Sequence, residues 1–281
     1  MFVPSDRPVP RVNIIPIDDP DDPRVASYRD IRERDLAGRE GRFIAEGKVV
    51  LDVLFSARRF EAESVLLLEN RLSGMAATLA KAPPDMPVYL APTGVIDRIA
   101  GFHLHRGVLA VGRRRPPEPL DALLTALPAR ATVVVLVGIA NHDNAGAIFR
   151  NAAAFDVDAV FLDATSCDPL YRKAIRVSVG AALKVPFHAG APTDEILAAL
   201  GNAGFVPIAL SPGAATDIRT LEWPERTALV LGTEGEGLPP ALLARLATAR
   251  IAMAGGLDSL NVATAAAIAL HEAFARKASE R

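Results

Sequence analysis

The spacing of apolar and polar positions divides the chain into stretches of different character. Residues 1–23 carry several prolines and the acidic run DDPDD at 18–22 and show no sustained apolar period, so they read as an N-terminal tail. From about Arg24 an α/β pattern begins: a helix near 24–37, then an extended stretch leading into a helix within FIAEGKVVLDVLFSA. SVLLLE (64–69), VYLA and GVLAVGR are short apolar runs that predict strands. LSGMAATLAKA and TGVIDRIAG predict helices, the second ended by glycine. A first domain over 24–115 therefore closes near Arg115, and the proline-rich RRRPPEP (113–119) reads as connecting chain. Linker and the short helix DALLTALPA fill 116–130.

Beyond residue 131 the pattern becomes a regular strand–helix alternation, the signature of a mostly parallel sheet covered on both faces. Strands are expected at TVVVLVG (132–138), AVFLD (159–163), KVPFH (184–188), FVPIALS (205–211), TALVLG (227–232) and ARIAM (249–253). Helices are expected near 144–155, 193–203, 238–246 and 260–278. The fold class is α/β, with a smaller N-terminal α/β domain ahead of this larger C-terminal one.

Composition narrows the function classes. Half of the 281 residues are hydrophobic, enough for two buried cores. No apolar run is long enough to span a membrane, and the first residues have no secretory signature, so a cytoplasmic location is expected. A single cysteine, Cys167, excludes an internal disulfide, and the five histidines lack ligand spacing, so no metal is expected. The net charge of −2 is unevenly distributed. Residues 1–115 carry 18 Lys and Arg against 16 Asp and Glu; residues 116–281 carry 13 against 17. Arg29, Arg32, Arg34, Arg39 and Arg42 fall in one 14-residue window, and Arg113–Arg115 form a second cluster. Taken on charge alone, the first cluster reads as a solvated helix face, because Glu33, Asp35 and Glu40 interleave with it.

In sheets of this kind, ligands bind beyond the carboxyl ends of the strands. Three segments lie there. In NHDNAGAIFRNAAAFD (141–156), Asn144 or Asp143 is placed to cap a helix, Gly146 allows another backbone to approach, and Arg150 follows within two turns. LVLGTEGEGLPP (229–240) is a strand entering a glycine-rich turn. It has neither GxGxxG spacing nor a phosphate-binding lysine, and Glu234 and Glu236 would repel phosphates. A ligand held there should carry positive or neutral groups. IAMAGGLDSLNVATAAAIALHE (251–272) turns through Gly255 and Gly256 into an alanine-rich helix, with Ser259 and Asn261 as alternative caps. A long helix so rich in alanine is expected to pack closely, within the chain or against a second subunit.

In order and spacing these segments resemble the SpoU family of RNA 2′-O-ribose methyltransferases, within the SPOUT superfamily. The family's N-x-G-x-x-x-R is matched by Asn144, Gly146 and Arg150. Its glycine-rich segment is matched by Gly232, Glu234, Gly235, Gly237 and Leu238, and its last motif by Ile251, Met253, Gly255, Ser259, Leu260, Asn261 and Val262. DPLYRKAIRVSVGAALKVPF (168–187) is similar to the family's stretch between strands, with Arg176, Ser178 and Gly180 in place. Two departures stand out: the family's proline before methionine is Ala252, and its Asp-Pro before the first asparagine is Asn141-His142. GREGRFIAEG (38–47) and HLHRGVLAV (103–111) resemble the family's small auxiliary domain.

The resemblance implies a trefoil knot in a methyltransferase domain over 131–281, a homodimer formed through that domain, and RNA, either ribosomal or transfer, as substrate. S-adenosyl-L-methionine is the implied cofactor, held by Gly232, Ile251 and Leu260, with Leu231, Met253 and Ser211 beside them. Arg150, Asn144, Glu234, Ser259 and Asn261 are the implied catalytic set. An arginine keeps its proton in proteins, so Arg150 is assigned to anchoring phosphate and the general base is left open. Beside such a domain the arginine window gains meaning, and Arg39, Arg42 and Arg176 become candidate RNA contacts. Two rivals stay open: a non-catalytic RNA-binding protein of the same fold, and an enzyme that methylates a small molecule.

Overall fold

The computed structural model describes residues 12–29, 31, 41–255 and 258–279. The chain forms two compact units, Met1–Arg115 and Pro116–Arg281. The first unit contains β1 (Asn13–Pro16), β2 (Arg42–Glu46), α1 (Lys48–Ala57), β3 (Glu61–Leu68), α2 (Leu72–Leu79), β4 (Pro87–Ala91), α3 (Thr93–Ala100) and β5 (Val108–Arg113). Its sheet has the order β1-β4-β3-β5-β2, parallel among the first three strands and antiparallel on the β5 side.

Two expectations change in this unit. Residues 13–16, expected within a tail, form the sheet's edge strand in register with Pro87–Leu90. The proline in this strand is tolerated there because an edge strand leaves one side unpaired. Ile17 then seals the edge, fully buried against Tyr28 and Tyr89. The helix expected near 24–37 is a 3-10 helix over Pro23–Tyr28, ended by Arg29 in extended conformation. Asp22 caps it, its carboxylate accepting the Arg24 N–H at 2.8 Å. Residues 30 and 32–40, with Arg32, Arg34 and Arg39, lie outside the described residues.

The second unit contains α4 (Leu120–Ala126), β6 (Ala131–Leu136), α5 (His142–Ala154), β7 (Ala159–Asp163), α6 (Arg172–Val177), β8 (Phe187–Ala191), α7 (Thr193–Asn202), β9 (Val206–Leu210), β10 (Arg226–Leu231), the one-turn α8 (Pro240–Leu243), β11 (Ala247–Ala249) and α9 (Val262–Ser279). All neighbouring strands are parallel, in the order β11-β9-β10-β6-β7-β8. Alternate residues feed opposite layers. Val134, Leu136, Leu229 and Leu231 pack under α5 and α9. Val133, Val135, Ala228 and Val230 pack under α4 and α7. The chain starts in the middle, winds outward to β8, then returns on the other side of β6. The switch point is the crevice between β6 and β10.

Strand ends shift where pairing stops. The expected strand at 249–253 is confined to 247–249, because its partner β9 ends at Leu210, opposite Ala249. Ile251 and Met253 therefore leave the sheet. The strand expected at 184–188 starts instead at Phe187, since a 3-10 turn occupies Ala181–Leu183. The helix expected at 238–246 is only the single turn of α8. In α9, the alanine stripe is used inside the unit: Ala266, Ala269 and Leu270 join the core with Ile148 and Phe149 of α5. Close packing of this helix thus needs no second subunit. Among the described residues, no helix is long and apolar enough to cross a membrane.

One side chain that no motif marks fixes the rim of the sheet. Asp163, the last residue of β7, is buried and accepts Gly138 N–H at 3.0 Å, Ser166 Oγ–H at 2.7 Å and the hydroxyls of Thr165 and Thr193 at 2.8 and 3.1 Å. Ser166 Oγ in turn accepts the Ile139 N–H at 3.0 Å. The loop running from β6 into α5 is thereby pinned. Burial raises the Asp163 pKa, but the donors from Gly138, Ser166, Thr165 and Thr193 outweigh it and hold the carboxyl below its ordinary value. The folded protein therefore binds this proton less tightly than the unfolded chain. The resulting stabilisation is complete above the unfolded value of about 3.9 and is lost as pH falls toward the lower folded one. Asp163→Ala, measured by urea unfolding, should cost about 2–4 kcal/mol at pH 7. The gap between the two proteins should narrow as pH drops below about 4.

Candidate active site at the switch point

The three segments singled out in the sequence meet at the carboxyl ends of β6, β10 and β11. Asn141, not Asn144 or Asp143, caps α5, its side chain accepting the Asp143 N–H at 2.8 Å. Asn144 is thereby free of capping. It is buried within the first turn, and its Oδ1 accepts a hydrogen bond from Asn261 Nδ2 at 3.0 Å. Gly146 lies where α6 crosses: a Cβ there would stand 2.7 Å from the Ala174 carbonyl oxygen and 2.9 Å from Val177 Cβ. Only glycine lets the two helices approach this closely.

Of the two alternative caps for α9, Asn261 serves: its Oδ1 accepts the N–H groups of Ala263 and Thr264 at 2.9 and 3.2 Å. Its Nδ2 donates to Asn144 at 3.0 Å and to Glu234 Oε1 at 2.6 Å. A side-chain amide offers two donors and two acceptor positions, and here all four are used. Turning the amide over would set its oxygen against two acceptors and its NH2 against two N–H groups, so its orientation is fixed. Asn261 thus joins all three segments in one contact set, as a positioning residue.

Glu234 sits on the turn after β10. Gly232 opens that turn: an added Cβ would come within 2.5 Å of the Gly237 and Leu238 backbone. Thr233 closes it, its carbonyl accepting the Gly237 N–H at 3.2 Å. Beside this turn is a cavity of about 430 Å³. Leu231, Gly232, Ile251, Met253, Leu260 and Ser211 all line it, as do Glu234, Ser259 and Asn261. Its charged lining is Glu234, Glu236 and Asp258, with no lysine or arginine among the described residues. A cavity of this size holds a ligand of cofactor dimensions, and its charge favours a cation over a polyphosphate.

Other expected residues lie apart. Arg150 is exposed on α5 and does not line the cavity. Six helical steps place it about 120° around the helix from Asn144. Asn151, one step further, returns to the face of Asn144, and its Nδ2 donates to the Ala263 carbonyl at 2.8 Å. The motif pattern gave no hint of that second tie to α9; the seven-residue spacing of the two asparagines did. Arg176 lies half-buried on α6, and Ser178 is buried, its hydroxyl held by the Ile175 carbonyl at 2.9 Å. Arg42, in the first unit, donates to Glu63 at 2.8 Å, a carboxylate it shares with Arg113. Arg39 lies outside the described residues. Cys167 is held protonated, its thiol pushed up to about 11 by burial and by Asp168.

Residues 131–271 match the family model of the SpoU rRNA Methylase family. An uncharacterized tRNA/rRNA methyltransferase of Mycobacterium bovis is 43% identical over 264 residues, covering 90% of this chain and 89% of its own. The AdoMet-bound rRNA methyltransferase of Sinorhizobium meliloti superposes with a TM-score of 0.78 at 25% identity, over 94% of this chain and 98% of that one. An RNA 2′-O ribose methyltransferase gives 0.75 at 25% identity, over 94% and 100%.

The Asn261 contacts generate a pair of opposed outcomes. Asn261→Ala removes the cap and both ties and should cost about 1–2 kcal/mol in urea unfolding at pH 7, with little dependence on salt. Asn261→Asp keeps the cap acceptors but faces Glu234 with like charge. Its deficit at pH 7 should shrink as salt is raised to about 1 M; a deficit unchanged by salt would contradict the Asn261–Glu234 contact.

Proposed function

The chain belongs to the SpoU rRNA Methylase family, and from that premise we propose that it transfers a methyl group from S-adenosyl-L-methionine to a ribose 2′-hydroxyl of ribosomal or transfer RNA. One observation carries the reading: a cavity at the carboxyl ends of β9, β10 and β11, lined by the second and third of the matched segments and by Glu234, Glu236 and Asp258, with no lysine or arginine among its described residues. The sulfonium and ammonium groups of the cofactor suit Glu234, Glu236 and Asp258, whereas a nucleotide's phosphates would be repelled. Gly232, Ile251 and Leu260 would hold it through main-chain groups, with Leu231 and Met253 as apolar walls and Ser211 at the edge. When bound, the cofactor supplies a methyl group already activated by positive sulfur.

What remains for the chain is orientation and charge. Asn261 and Asn144 fix the Glu234 turn against α5, and Ser259 projects at the cavity rim, where it would meet the ribose. Arg150 stands outside the cavity, which fits a contact with the RNA phosphate next to the target ribose better than one with the cofactor. Arg176, and in the first unit Arg39 and Arg42, are proposed as further RNA contacts. A homodimer is proposed through the second unit, where Ile268 and Phe274 of α9 are exposed, Ile268 on the side away from the alanine stripe. The trefoil knot implied by the family belongs to the same reading.

Two measurements test it. In RNA from cells with and without the protein, at least one 2′-O-methyl position should disappear with the gene; an unchanged map would remove the ribose assignment. Arg150→Ala should lower methyl transfer by at least about 100-fold. Calorimetric titration of that variant with S-adenosyl-L-methionine should stay close to wild type, since Arg150 does not line the cavity.

A further inference from the structure

An aromatic pair beside the site is used by none of the contacts above. His142 and Tyr171 stack with ring centroids 4.4 Å apart and planes inclined by 37°. Both are partly exposed. His142 is the first residue of α5, two positions before Asn144. Tyr171 is the cap residue of α6, the helix that crosses α5 at Gly146. His142 also occupies the position where the family pattern carries a proline, so no shared motif accounts for an aromatic ring there.

The charge around the pair is net positive, unlike that of the cavity: Arg150, Arg172, Lys173 and Arg176 stand against Asp143 and Asp168. The cavity is lined by three carboxylates. The six residues of α6, RKAIRV, hold Arg172, Lys173 and Arg176 and no acid. Lys173 pairs with Asp143 at 2.7 Å, while Arg150 is exposed on the adjoining α5. A polyanion approaching this face is repelled by one edge and attracted by the other, so its backbone must run over α5 and α6. That path brings it across the two rings.

Resting on the RNA substrate proposed above, we propose that His142 and Tyr171 form a stacking platform for an unpaired RNA base next to the methylated nucleotide. Paired bases hide their faces within the helix, whereas splayed bases stack on aromatic side chains. The substrate class is thereby an RNA whose target lies in a loop, a bulge or another single-stranded segment. Tyr171 supplies the ring and His142 fixes its tilt, while Arg172 and Arg176 hold the flanking phosphates.

The test uses the full chain with two fluorescein-labelled probes, a 12-nucleotide oligoadenylate and a 12-mer of abasic ribose phosphate, followed by anisotropy. Both carry the same phosphates, and only one has bases to stack. Wild type should prefer the oligoadenylate by about tenfold or more. Tyr171→Ala should lose that preference with its melting midpoint unchanged, and Tyr171→Phe should keep it. Arg176→Ala should weaken both probes equally. Equal affinity of wild type for the two probes, including no measurable binding to either, would overturn the platform. So would an undiminished preference in Tyr171→Ala. An unchanged 2′-O-methyl map beside a preserved preference would instead remove the ribose reading and leave the platform standing.

Discussion

Everything in the candidate site depends on the amide of Asn261. Among the described residues it is the one side chain bonded to all three segments: to its own helix by two accepted N–H groups, to Asn144 on α5 and to Glu234 on the turn after β10. Asn144 and Glu234 lie 117 and 27 residues from Asn261 in the chain, and the sheet brings only the starting points of their segments together. The loops between could settle in many ways. A fully satisfied amide at their junction selects one, because any rearrangement leaves a partly buried donor or acceptor unpaired. Asn151, tied to the Ala263 carbonyl a heptad beyond Asn144, gives the same helix pair a second fixed point.

The support beneath this junction is equally polar. Asp163 holds Gly138, and through Ser166 it holds Ile139, which together aim the chain into the Asn141 cap. A carboxylate buried at a strand end is costly unless surrounded by donors, and here the backbone and three hydroxyls supply them. The turn after β10 needs no such anchor, because Gly232 lets it fold back onto its own backbone. Two loops are thus held by different means: one by a buried charge, the other by the absence of a side chain.

How much of this was legible in the sequence follows from the range of each signal. Parallel strands buried on both faces leave continuous apolar runs, so β6, β7, β9 and β10 could be read to within a residue or two. Strand ends could not, because pairing depends on where the neighbour stops: Ile251 and Met253 look like strand residues and leave the sheet only because β9 ends at Leu210. Strand β1 was missed for a similar reason, since four residues flanked by prolines carry little periodicity until β4 lies beside them. The spacing Asn-x-Gly pointed to Asn144 but suggested a cap, which Asn141 provides instead. Asp163 carried no signal at all; its donors come from four positions spread over 55 residues.

The last consequence concerns the separation of charge across the site. Cofactor and RNA make opposite demands: one presents cationic groups, the other a chain of anions. A single pocket lined by both signs would bind each poorly, since its own charges would pair with one another. Here the carboxylates line the cavity, and the arginines stand on α5 and α6, outside it. Arg150 does not line the cavity for the same reason that no lysine or arginine does. On the proposed reading, the acidic wall would keep phosphates from the methyl donor's place, and the arginines of α5 and α6 would take them up outside the cavity. Geometry and charge then select the same approach, which is why the exposure of Arg150 supports its assignment to RNA.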